Sequence, residues 1–91
     1  MKITEVDVTV FDNENSKMKG IASVKLDDCF VVRDIRILDR ADGLFIAMPS
    51  RKNREGEYHD TAHPINQETR KMFVDAIFAE YDRKLAEKEN S

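Results

Sequence analysis

Two hydrophobic periods divide the chain, and the point where one gives way to the other decides the fold class. Between Lys2 and Val10, the apolar Val6, Val8 and Val10 alternate with Glu5, Asp7 and Thr9. A period of two marks a strand with one face on a core and one in water. From Gln67 to about Lys88 the spacing lengthens: Phe73, Ile77, Tyr81 and Leu85 step by four, flanked by Val74 and Phe78, while Lys71, Asp75, Asp82 and Lys84 fall elsewhere. That is the apolar stripe of an amphipathic helix of roughly five or six turns. Strands first and a single helix last predict an α+β fold. An antiparallel β-meander of four to five strands spans about residues 2–60, and the C-terminal helix, about 66–88, lies on it. A tail over 87–91 is left to fray.

Within the strand half, Asp12, Asn13 and Asn15 favour a turn, after which Met18, Ala22, Val24 and Leu26 alternate with Lys17, Lys19, Ser23 and Lys25. The two strands form a hairpin. Ile21 falls on the polar side just after Gly20, the place for a β-bulge. Asp27-Asp28 turns the chain into a third strand, Cys29 to Leu38, whose Phe30, Val31 and Val32 are apolar on both faces. Either a second subunit covers the extra face or a bulge changes the phase. With those neighbours Cys29 is expected to be a buried thiol. Asp39 to Gly43 is a turn, and Leu44 to Met48 a short apolar strand ended by Pro49. Ser50 to Tyr58 is polar and aperiodic, an exposed hairpin loop with a short strand at its far end. Asn66 is the expected N-cap, with Glu68 in the first turn, and Glu80 and Lys84 are spaced to pair along the helix.

With 91 residues the chain makes one domain, 1–91. A chain of this size buries only about 60–65% of its unfolded surface, so the core is thin and self-association would support it. No apolar run approaches the ~20 residues of a membrane span, and the N-terminus lacks the apolar stretch of a secretory signal, so a cytosolic protein with no membrane partner is expected. One cysteine forms no internal disulfide and suits a reducing compartment.

Catalytic patterns are scarce. Three glycines leave little room for a phosphate cradle, and no nucleophile-elbow, P-loop or dinucleotide fingerprint occurs. His59 and His63 have a helical ligand spacing but run into Pro64, and zinc wants at least three protein ligands. Asp60 and His63 are the one candidate acid–base couple. The expectation is no enzyme, no cofactor, no metal and no small-molecule substrate.

Charge is more informative by segment. The total is −3, which opposes nucleic acid as a partner. Residues 1–48 carry seven Lys+Arg against nine Asp+Glu, and residues 60–91 five against seven. Only residues 49–59 are positive, with three against two. Arg51, Lys52 and Arg54 cluster there. Three cations on a loop can contact phosphates, and arginine can read base edges. A solvated turn fits the same residues, and charge alone does not decide between the two.

The string GLFIAMPSRK over residues 43–52 resembles the stage V sporulation protein G family, SpoVG. So do Phe30 to Arg36 before it, and Gly56-Glu57-Tyr58, His63-Pro64-Ile65-Asn66 and Ala79-Glu80-Tyr81 after it, together with the opening Met1-Lys2-Ile3-Thr4. The likeness covers about residues 1–85. It implies a small bacterial regulator of the cytoplasm and nucleoid, linked to septation and sporulation, that is a homodimer and binds specific double-stranded DNA sites, with RNA as a second ligand. It also implies DNA contact by the basic residues after the MPS string, here Arg51 and Lys52. Charge adds Arg54, and position in the first helical turns adds Arg70 and Lys71. The position before Asp60, often basic in the family, is here His59. A rival expectation is a protein-interaction adaptor of the division machinery, based on the acidic balance and the apolar excess at Phe30 to Val32.

Overall fold

The computed structural model describes residues 2–11 and 16–89. β1 (Ile3–Val10), β2 (Met18–Leu26), β3 (Phe30–Arg40) and β4 (Gly43–Ala47) form one antiparallel sheet in the order of the chain. β5 (Ser50–Lys52) and β6 (Tyr58–Asp60) form a separate two-stranded hairpin, and α1 (Gln67–Glu89) follows. This is the expected α+β meander and helix. The expected turn at Asp12, Asn13 and Asn15 lies outside the described residues. α1 continues to Glu89, through part of the stretch left to fray.

Alternation sets which face is buried. Val6, Val8 and Val10 lie opposite Val24, Ala22 and Gly20 across the β1–β2 ladder. α1 runs over β1 and β2, and its stripe of Phe73, Ile77 and Tyr81 closes on Val8, Val24, Ile35, Ile37, Ile46 and Met48. Ile35, Ile37, Ile77 and Val24 are the largest side chains fully removed from water. Each large aliphatic buried this way contributes about 1.5–3 kcal/mol. On the outer face Lys25 pairs with Glu5 at 2.9 Å.

Bulges keep the buried residues in phase. Lys19 is an extra residue of β2 between Met18, opposite Leu38, and Gly20, opposite Ile37. This is the irregularity expected beside Gly20. A Cβ on Gly20 would stand 2.8 Å from the Thr9 carbonyl oxygen, so the neighbouring strand fits only a glycine there. A second bulge lies in β3: between Val32 and Ile35 the partner strand advances only from Val24 to Ala22, and Asp34 takes φ +61°. The extra residue shifts the phase, so that Val32, Ile35 and Ile37 all face inward.

One expectation fails at the start of β3. Asp27 and Asp28 have φ of +52° and +54°, the signs a type I′ turn requires, and the Cys29 N–H closes the turn on the Leu26 carbonyl at 3.0 Å. Lys2 and Thr4 tie it down: the Asp27 N–H bonds the Lys2 carbonyl at 2.8 Å and the Asp28 N–H bonds Thr4 Oγ1 at 3.1 Å. Cys29 therefore belongs to the turn and is exposed, not buried. In the segment after it Phe30 is 62% exposed and Val31 is also open, and of the two expected possibilities the phase-changing bulge is present, at Asp34.

The helix start is as expected. Asn66 Oδ1 accepts from the Thr69 N–H at 2.8 Å, an N-cap. Further along, Glu80 takes Arg83 as its partner instead of Lys84, and Arg83 also reaches Glu87 at 2.9 Å. The planar arginine fork spans both carboxylates, with one edge on Glu80 and Nη1 on Glu87.

Candidate functional site

Pro49 has no N–H for a ladder, and β4 ends before it. Its carbonyl accepts from the Thr61 N–H at 2.8 Å and from Thr61 Oγ1 at 3.2 Å, which pins the base of the next hairpin. Above that base, Ser50 faces Asp60, Arg51 faces His59 and Lys52 faces Tyr58. The stretch expected to be an exposed hairpin loop with a short strand at its far end is thus strand at both ends.

Asn53 builds the tip. Its side-chain oxygen accepts from the N–H groups of Glu55 and Glu57, both at 2.9 Å, and its own N–H bonds the Glu57 carbonyl at 2.8 Å. Gly56 supplies the positive φ, +88°, that closes the turn. Arg54 therefore stands on a braced tip. All residues from Arg51 to Asp60 are exposed. Glu57 is 3.7 Å from His59, and among the described residues no ion pair engages Arg51, Lys52 or Arg54. A shallow depression of about 400 Å³ is lined by these three cations together with His59 and Asp60.

Alternation along a strand sends neighbouring side chains to opposite faces. Arg51 and His59 share one face of the hairpin; Ser50, Lys52, Tyr58 and Asp60 share the other. Arg70 is half-buried at the start of α1 and lines a groove with Ser50, Tyr58 and Asp60, at the foot of that second face. Lys71 is exposed and does not line that groove. The fold thus brings Arg70, but not Lys71, to the hairpin. Reading the sequence missed Arg36 and Arg40 of β3, which line the same groove. Their spacing of four residues placed them on one strand face, but nothing local linked them to the hairpin.

Asp60 and His63 do not form an acid–base couple. Asp60 lines the hairpin grooves, whereas His63 lines an apolar cavity with Leu26, Phe30, Val32 and Phe73, and its Nδ1 lies 3.0 Å from the Pro64 carbonyl. That cavity measures about 170 Å³ and opens beside the exposed Phe30. Among the described residues no three His, Cys, Asp or Glu side chains converge as metal ligands. Among the described residues no helix is long and apolar enough to cross a membrane.

Comparison with known proteins fits this arrangement. The SpoVG family model matches residues 1–83. A protein of Caldicellulosiruptor bescii named "Putative septation protein SpoVG" is 54% identical over 82 residues, 90% of this chain and 92% of its own. Proteins of the same name from Alkaliphilus oremlandii, 54% identical, and Bdellovibrio bacteriovorus, 48% identical, are matched over 91% and 93% of this chain and 88% and 77% of theirs. With the family match running through sheet, hairpin and most of the helix, the chain belongs to the SpoVG family.

Proposed function

We propose that the protein is a dimeric bacterial regulator of septation and sporulation-type processes that acts by binding specific DNA sites, with RNA as a second ligand, through the β5–β6 hairpin. One observation carries the reading: in a chain of net charge −3, Arg51, Lys52 and Arg54 stand exposed and without an acid partner on a braced two-stranded ribbon. A two-stranded ribbon fits the major groove, where arginine and lysine reach phosphates on the walls and guanine edges on the floor. The septation role rests on the name that the relatives carry. No catalytic constellation accompanies the hairpin, and a place in the cytoplasm or at the nucleoid follows from the ligand.

The dimer is supported by Phe30, 62% exposed and lining the apolar cavity, and by Ile65, 89% exposed and next in the chain to Pro64 of that lining. Pairing two copies would bring six hairpin cations onto one molecule. The same exposed residues favour the second reading, a protein-interaction adaptor of the division machinery. Crosslinking the intact protein to cellular nucleic acid and sequencing what is recovered separates the two. A shared sequence motif among the recovered fragments is expected. A protein partner that survives nuclease treatment, with no sequence preference in the recovered nucleic acid, supports the adaptor.

A further inference from the structure

Three arginines meet in a groove that the hairpin's tip does not reach. Arg36 and Arg40 stand four residues apart on β3, hence on one face of the strand, opposite Ala47 and Gly43 of β4. Arg70 comes from the first turns of α1. The groove they line has a volume of about 300 Å³. Arg36 donates one bond to Ser50 Oγ at 3.1 Å, and the Arg40 guanidinium lies 3.7 Å over the Phe45 ring. Each guanidinium has five donors, so most remain available. No ion pair engages any of the three among the described residues, and Asp60 is the groove's one carboxylate.

Cations gathered without matching acids select an anion. Beside them Tyr58, 67% exposed, stands on the hairpin face that also carries Lys52. An exposed ring next to a cationic groove is the combination that binds unpaired nucleotides, because a stacked base needs a free π-face and the backbone needs a cationic track. Bases inside a duplex are already stacked and offer no such face.

Resting on the nucleic-acid reading above, we propose that this groove holds single-stranded nucleic acid, with phosphates on Arg36, Arg40 and Arg70 and a base stacked on Tyr58. The hairpin then serves two ligands: Arg51, Lys52 and the tip meet the duplex, and Tyr58, with the arginine groove at the hairpin's foot, meets an unpaired strand.

The test is fluorescence anisotropy of the intact protein with a labelled oligothymidine of about 12 nucleotides, within the span of known single-strand sites, and with a labelled duplex. Tyr58→Ala is expected to weaken single-strand binding about tenfold, with Tyr58→Phe close to wild type because the ring is kept. Duplex affinity should change less than about twofold, since phosphate contacts dominate it. Arg40→Ala with Arg70→Ala should reduce the single-strand log–log salt slope by about 1.4. Unchanged single-strand affinity in Tyr58→Ala, which is exposed and leaves the fold intact, overturns the groove. Duplex binding by the wild type without single-strand binding also overturns it and leaves the hairpin reading standing. Binding to neither probe overturns both.

Discussion

Arg51 and Lys52 adjoin in the sequence yet project from opposite faces of the β5–β6 hairpin, Arg51 beside His59 and Lys52 beside Tyr58. Both also line the shallow depression beside the tip, so a groove that takes the ribbon between its walls, or a phosphate backbone seated in that depression, engages both. Arg51→Glu alone and Lys52→Glu alone are each expected to flatten the salt dependence of duplex binding by about one log unit per log unit of salt. Titrations at several salt concentrations measure this. A response confined to one residue means that the ribbon lies flat on its ligand.

Asn53 holds the tip in shape by accepting from two backbone N–H groups, those of Glu55 and Glu57. Asn53→Ala removes both bonds, each worth about 1 kcal/mol in net terms. Because the tip is exposed and outside the core, global stability should fall little. Amide exchange at Glu55 and Glu57 should accelerate about tenfold, and duplex affinity should drop as Arg54 loses its fixed position.

Gly20 lies between β1 and the core, 2.8 Å from the Thr9 oxygen at its would-be Cβ and 3.4 Å from Ile37 Cδ1. Gly20→Ala must push strand backbone apart and is expected to cost about 1–3 kcal/mol. Urea denaturation shows this as a lower midpoint with an unchanged slope.

Tyr81 is buried under α1, and burial holds its phenol above the usual tyrosine range, with Asp82 and Asp39 adding to the shift. A folded-state pKa above the unfolded value means that the unfolded chain loses its proton first. The resulting stability is complete below about pH 10 and is lost as pH rises through the folded pKa. Thermal melts from pH 8 to 11 should therefore show a decline that is shallower in Tyr81→Phe.

Most of the fold was legible because its signals are local. Alternation marked the first two strands and the end of the third, an apolar run ended by Pro49 marked the fourth, the four-residue step marked α1, and Asn66 marked where it starts. The failures share a cause in geometry beyond the local pattern. Cys29 reads as strand until the two aspartates are known to take positive φ, which makes it the last residue of the turn. For the run Phe30–Val32 a bulge was one of two alternatives, and only the register of the folded sheet places it at Asp34. Glu80 chose Arg83 over Lys84, both of which lie within reach on the same helix. At the site, the cluster Arg51, Lys52 and Arg54 was visible as composition. The groove was not, because Arg36 and Arg40 meet Arg70 only through tertiary folding across thirty or more residues of chain.

The most direct measurement is the salt dependence of binding to a specific duplex by the wild type and by Arg51→Glu with Lys52→Glu. Engaging about four to six phosphates gives an expected log–log slope of about −4 to −5 for the wild type. The double variant should bind far more weakly with a slope flatter by about two. Equal affinity and equal slope in the two proteins would contradict the hairpin as the site where nucleic acid binds.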